Sequence, residues 1–160
     1  MAVNNTAITT LSPYLSAPGG TYEISPDLPE SLILDANTGE ISGTPTEALA
    51  NTTFTMWSNN TNGDSLSWNF TIEILEDSDG DGLPNELPGD YDSSNPDSPG
   101  LVEDTDDDAD GVPDTDEGDT GTSPTNPDTD GDGMCDGPNA VSGVCTVSYT
   151  HLRAHETHLN

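Results

Sequence analysis

Residues 68–74, WNFTIEI, alternate without a break: Trp68, Phe70, Ile72 and Ile74 fall on one side of an extended chain, and Asn69, Thr71 and Glu73 on the other. A period of two marks a strand with one face buried and the other in water. TTFTMWS at 52–58 repeats the pattern with Phe54 and Met56 on one face, and NNTNGDS between the two carries the Asn-Gly pair of a tight hairpin. Upstream, ITTLSPYLS, TYEIS, SLILD and GEISG read as further short strands separated by Pro or Gly. No stretch keeps a helical period long enough to bury a face. Many short strands at this spacing predict an all-β fold, a small sandwich over residues 1–76.

The pattern stops at Glu76. Phe54, Trp57, Trp68 and Phe70 cluster in one span, Tyr14 and Tyr22 lie upstream, and between Glu76 and Val147 the only aromatic is Tyr91. Hydrophobic residues make up 29% of the chain, so the first half can bury a modest core and the second cannot. Trp57 could stack on a ligand or fill the sandwich, and filler is the expectation. Asn-X-Thr sequons begin at Asn4, Asn51, Asn59 and Asn69, as an Asn- and Thr-rich region produces by chance.

Charge divides the chain at the same place. Residues 1–76 hold nine acidic groups and residues 77–146 hold twenty-one, with no Lys, Arg or His in either stretch. Such a segment repels itself into an extended coil unless something binds it. Nucleic acid and anionic membranes are poor partners for this surface, and metal cations are good ones. Without His or Lys there is no nucleophile–base pair, no phosphate loop is present, and twenty-one carboxylates in one segment do not single out a glycosidase dyad. A catalyst is not expected.

The acidic segment is patterned. Asp-x-Asp-x-Asp-Gly occurs at Asp77-Asp79-Asp81-Gly82, Asp106-Asp108-Asp110-Gly111 and Asp128-Asp130-Asp132-Gly133. Calcium takes about six to eight oxygen ligands, and a loop supplies them from positions one, three and five, from the backbone carbonyl at seven, from nine, and from a carboxylate at twelve, with Gly at six for the turn. The middle loop is the most complete, with Val112 at seven, Asp114 at nine and Glu117 at twelve. The first has Leu83 and Asn85 at seven and nine but Pro88 at twelve, where Glu86 or Asp90 would have to substitute. The third has Met134 and Asp136 at seven and nine but Asn139 at twelve. The incomplete loops are expected to borrow ligands from neighbouring repeats. The alternatives are an acidic linker in which Asp-x-Asp arises by chance, or a salt-adapted acidic surface without fixed sites. The recurring Gly and the related lead-ins SNPD and TNPDTD favour the loops. Pro84, Pro113 and Pro138 follow them, so no amphipathic helix is expected at their flanks, unlike helix–loop–helix hands or dockerins. Cys135 and Cys145 would pair in an exported protein and stay a thiol pair in a cytosolic one.

Two resemblances sharpen this reading. LPESLILDANTGEISGTPT, residues 28–46, resembles the signature of the immunoglobulin-like, cadherin-like domains of microbial surface proteins, through Leu28-Pro29, Leu32, Asp35, Thr38-Gly39, Ile41 and Gly43-Thr44-Pro45. Ser31 departs from it, standing where that family has Gly. The likeness covers about residues 5–76 and implies an immunoglobulin-like spacer or binding module, with Leu32, Leu34 and Ile41 packed under Trp68 and Phe70. Residues 77–139 resemble thrombospondin type 3 repeats, which implies an irregular segment organised by Ca2+, with little regular secondary structure and Cys135–Cys145 as a staple.

The last fourteen residues, VSYTHLRAHETHLN, hold all three His and the only Arg. His151, His155, Glu156 and His158 suggest a zinc helix, but Leu152 fills the position where that motif needs its Glu. Residues 147–157 are instead similar to the in-frame translation of a transposase adapter used in sequencing libraries, so residues 147–160 are set apart from the domains and the native piece is expected to be a fragment. The expected organisation is a sandwich at 1–76 and calcium-binding repeats at 77–146, in an extracellular or cell-surface protein. Its partners are calcium ions and a surface or matrix protein or carbohydrate. The alternative is a non-catalytic accessory region of a larger secreted hydrolase.

Overall fold

The computed structural model describes residues 1–14, 20–94 and 100–147. The chain divides into two compact units, Met1–Leu101 and Val102–Asn160. The candidate zinc residues of the tail, and Asn95 to Asp97 of the first lead-in, lie outside the described residues.

The first unit is built from strands. β1 (Ala2–Val3), β2 (Thr21–Ser25), β3 (Leu32–Leu34), β4 (Ile41–Gly43), β5 (Leu49–Asn59) and β6 (Ser65–Leu75) form a four-stranded sheet of order β1-β6-β5-β2 and a two-stranded sheet β3-β4. β5 and β6 are the hairpin read from the alternation. They pair antiparallel with Phe54 opposite Phe70 and Met56 opposite Trp68. The turn closes where Asn60 N–H donates to Asp64 O at 2.9 Å and Gly63 takes φ +90°. β1 joins β6 in parallel, Ala2 beside Ile74.

The core lies between the sheets. Tyr22, Ile41 and Met56 form one buried cluster, backed by Leu34, Trp68 and Phe70, while Leu32, Phe54, Ile72 and Ile74 form a second that also takes in Phe70. The packing of Leu32, Leu34 and Ile41 under the β6 aromatics is therefore present. Phe54 and Phe70 stack with ring centroids 5.9 Å apart. Trp57 is half-buried on the other face of β5.

One expected strand is missing. In ITTLSPYLS only Leu11 makes a bridge, to Ile41, and Ile8 N–H donates to Gly43 O at 3.0 Å; no named strand runs through residues 8–14, and residues 15 and 16 lie outside the described set. Pro13 has no N–H to give to a ladder, which removes the support a continuous strand needs there. Asn4 is buried, so its sequon sits in the fold rather than on the surface.

The 28–46 segment makes its turns with left-handed residues. Gly39 (φ +75°) closes the turn in which its N–H donates to Asp35 O at 2.7 Å, and a Cβ there would lie 2.8 Å from the Tyr22 ring. Gly43 takes φ +136°, and a Cβ there would run into the carbonyl oxygen of Ser31. Ser31 itself sits at φ +70°, a conformation that costs an L-residue about 1–2 kcal/mol. The site where the resembled family has Gly is thus one where this chain carries strain.

Among the described residues the second unit has one named element, α1 (Asp114–Thr120). This short helix, DTDEGDT, has no apolar residue and so no amphipathic face, and it leaves the unit with the little regular secondary structure expected of it. Asp, Thr and Gly are poor helix formers, so periodicity gave no sign of it. The acids Asp114, Asp116 and Glu117 suit its positive N-terminal end, and Gly121 (φ +83°) caps it by donating to Glu117 O at 2.8 Å. Among the described residues of this unit the buried hydrophobic ones are Cys135 and Cys145, joined in a disulfide.

Ser31→Gly should stabilise the first unit by about 1 kcal/mol, raising its melting midpoint by a few degrees, because relief of the strained φ outweighs the added chain entropy. Gly43→Ala should destabilise it by more than about 2 kcal/mol. Thermal unfolding followed by tryptophan fluorescence reads both, since Trp57 and Trp68 lie in this unit.

Candidate metal centres

Each Asp-x-Asp-x-Asp-Gly segment closes into the same loop. The first aspartate accepts the N–H of the sixth residue: Gly82 to Asp77 Oδ2 at 3.0 Å, Gly111 to Asp106 Oδ2 at 3.1 Å, Gly133 to Asp128 Oδ2 at 2.9 Å. The fifth accepts the N–H of the seventh: Leu83 to Asp81 at 2.7 Å, Val112 to Asp110 at 2.7 Å, Met134 to Asp132 at 2.8 Å. The ninth residue ties the loop shut twice. Its side-chain oxygen accepts from the second residue, Ser78 to Asn85 at 2.9 Å, Asp107 to Asp114 at 3.0 Å and Thr129 to Asp136 at 2.9 Å. Its own N–H donates to the residue before the loop, reaching Glu76 O, Thr105 O and Pro127 O.

The third aspartate accepts the N–H of the fifth residue, Asp79 from Asp81 at 2.9 Å, Asp108 from Asp110 at 3.1 Å and Asp130 from Asp132 at 3.1 Å, so the aspartates of positions one, three and five are all held by the loop's own backbone. In each loop one oxygen from each of the three lies within 4.8 Å of the others. Three clustered carboxylates and no nitrogen or sulfur donor make an all-oxygen set, suited to a hard divalent cation. Loop 1 belongs to the first unit and loops 2 and 3 to the second. The seventh residues Leu83, Val112 and Met134 and the ninth residues Asn85, Asp114 and Asp136 border the triads. Glu86 and Asp90, considered as stand-ins at loop 1, are not among the clustered groups.

A position that the Asp spacing did not single out completes the geometry. The fourth residue is left-handed in every loop: Gly80 at φ +80°, Ala109 at +60° and Gly131 at +73°. Gly-Asp-Gly in loops 1 and 3 was the available signal, hidden in loop 2 by an alanine.

Loop 2 differs from the others in depth. Asp108 is 2% exposed and Asp110 and Glu117 are 0% exposed, whereas Asp81, Asp130 and Asp132 face solvent. Helix α1 carries Glu117 to a buried place beside the triad, though outside the 4.8 Å group. Neither Glu117 oxygen, nor Oδ2 of Asp108 or Asp110, accepts a hydrogen bond of normal geometry. A carboxylate buried this way is costly without a positive or hydrogen-bonding partner. A cation would supply one, so these residues fit the group that the donor chemistry implies.

The electrostatics agree. Burial, and then the Asp110 and Asp106 charges against the pull of the Asp110 N–H, push Asp108 up to about 7. Burial and the Asp108 charge push Glu117 up to about 7, with the nearby Thr122 hydroxyl offsetting part of it. Asp106 and Asp110 are raised as well, burial leading in both, partly opposed by the N–H groups of Gly111 and of Val112 and Gly137 respectively.

Residues 1–75 match the family model He_PIG, described as "Putative Ig domain". The first unit's strand region is therefore immunoglobulin-like in sequence as well as in its all-β architecture. No curated protein matches the chain. Among the described residues no helix is long and apolar enough to cross a membrane.

Because these four carboxyls hold protons in the fold to higher pH than in the unfolded chain, the cation-free second unit keeps its full stability below about pH 4. It should lose stability as pH rises, levelling off only above the raised values near 7. Urea unfolding in chelator between pH 4 and 8, followed by far-UV circular dichroism, should show midpoints falling with pH. Midpoints that rise over that range would contradict it.

Proposed function

We propose that this chain is a non-catalytic extracellular module in which Ca2+ occupies the Asp loops and stiffens an acidic, thrombospondin type 3-like stalk over residues 77–146, joined to the immunoglobulin-like spacer at 1–76. The observation that carries this reading is the repetition of one loop geometry three times with its carboxylates gathered inward. A linker acidic by chance has no reason to repeat the same backbone bonds at positions six, seven and nine. Calcium suits the set better than magnesium, which demands near-ideal octahedral geometry and gives up its water reluctantly. The proposed ligands are the Asp triads, the carbonyls of Leu83, Val112 and Met134, and the ninth residues Asn85, Asp114 and Asp136, with Glu117 added at loop 2.

On this reading Ca2+ does in the second unit what an apolar core does in the first. Cation binding supplies folding free energy to a chain that otherwise repels itself. The Cys135–Cys145 disulfide agrees with an oxidising, extracellular or cell-surface location. The role is calcium-dependent spacing or adhesion, towards a surface or matrix protein or carbohydrate.

Calorimetric titration of the full chain with CaCl2 should saturate at a few ions per chain, with affinities of about 10⁻⁴–10⁻³ M. The hydrodynamic radius should fall in step, and MgCl2 should not reproduce it. Glu117→Gln should weaken one site by about tenfold or more, leaving the others in place. Uptake that never saturates, with an unchanged radius, would leave only a solvated acidic linker.

A further inference from the structure

Residues of loop 3 pack directly on loop 2. Asn139 N–H donates to Asp110 O at 2.7 Å. Gly137 lies so close to Asp110 that a Cβ on it would run into both the carboxylate and the carbonyl oxygen of that residue. A Cβ on Gly111 would in turn meet Asn139 Nδ2 at 2.6 Å and Pro138 at 2.9 Å. Segment 136–139 is thus a fitted cover over the fifth and sixth positions of loop 2. The same segment begins with the ninth residue of loop 3, Asp136, whose charge is felt at both Asp108 and Asp110.

The disulfide anchors this cover at its root. Cys135 immediately precedes Asp136 and is 1% exposed, and its N–H donates to Thr146 O at 3.0 Å. Thr146 N–H donates back to Gly133 O at 3.1 Å, and Asp136 N–H to Pro127 O at 2.9 Å. The ring closed by Cys135–Cys145 therefore fixes where Asp136 leaves loop 3 and where Gly137 meets Asp110.

Resting on the reading of the loops as cation sites, we infer that loop 2 is a composite site completed by segment 136–139, so that the Cys135–Cys145 disulfide raises cation affinity at loop 2. With the cover docked, oxygens of Asp108, Asp110 and Glu117 are buried without hydrogen-bond partners. A cation relieves that cost, so it binds the docked arrangement in preference to the open one. Whatever favours docking then raises affinity at loop 2, and by reciprocity a cation at loop 2 favours the disulfide. No bond to the metal from Gly137 or Asn139 is required, because they act through Asp110 as positioning residues.

The test is residue-resolved NMR of the full chain titrated with CaCl2, reading loop 2 at the Gly111 amide and loop 3 at Gly133. Replacing both cysteines (Cys135→Ser, Cys145→Ser) should raise the Gly111 midpoint by at least about fivefold. Gly137→Ala, with the disulfide intact, should do the same while moving Gly133 less. A Gly111 midpoint within about twofold of the unaltered chain in both variants would overturn the inference and leave the cation sites standing. A Gly111 amide that does not respond to calcium in the unaltered chain would overturn both. The reciprocal measurement leaves both cysteines and Gly137 unaltered. In a glutathione buffer, at a calcium concentration that fills loop 2 of the unaltered chain but leaves that of Glu117→Gln largely empty, this variant, far from either cysteine in sequence, should lower the equilibrium ratio of disulfide to dithiol by up to the same factor. An unchanged ratio would count against the coupling.

Discussion

The constraint on which the second unit depends is that it buries carboxylates while its described residues hold no Lys, Arg or His to pair with them. Asp108, Asp110 and Glu117 are as buried as the apolar core of the first unit, yet there is no Lys, Arg or His before residue 147. Ordinary proteins bury a carboxylate only when an arginine, a lysine or several N–H groups come with it. Here backbone N–H groups meet some of the oxygens and leave others bare. The remaining compensation comes either from protons, as the raised values at Asp108 and Glu117 indicate, or from a positive charge beyond the described residues. These two compensations exclude each other on the same oxygen, which ties the stability of the fold to the medium around it.

The first unit shows the contrasting solution within the same polypeptide. Phe54, Ile41 and Ile74 are almost fully buried, hairpin and sheet pairing satisfy backbone groups of the strands, and its described carboxylates outside loop 1 lie at the surface or only half-buried. Apolar burial at about 25 cal/mol per Å2 needs no ion. Loop 1 belongs to this unit, with Asp77 buried and Asp81 exposed. A change from hydrophobic to ionic organisation therefore falls inside a compact unit as well as between units.

How much of this could be read from sequence follows from how local each cause is. The β5–β6 hairpin was legible because alternation and Asn-Gly are both local, and so were the Asp triads, because positions one, three and five lie within five residues. The strand expected at ITTLSPYLS was lost to Pro13 and to a bridge whose partner, Ile41, lies thirty residues away. Helix α1 was invisible because in Asp114–Thr120 only Glu117 favours a helix, and the segment owes its form to its charged first turn and to Gly121. Nothing in the sequence near Asp110 announced that Gly137 would cover it. A glycine chosen for close approach looks the same in sequence as one chosen for a turn.

The difference in depth among the loops has a consequence for how they would share ions. Loops 1 and 3 leave carboxylates in water, where charges in the triad are screened and the cation-free state costs little. Loop 2 holds its carboxylates together in a drier place, where repulsion in the cation-free state and attraction to a cation are both stronger. A site of that kind gains more from a cation and loses more without one than an exposed loop with the same aspartates. Identical Asp-x-Asp-x-Asp-Gly segments can therefore serve different ends in one chain. On the proposed reading the exposed ones would adjust with the surrounding ion concentration, while the covered one would tie the stability of its unit at neutral pH to being filled.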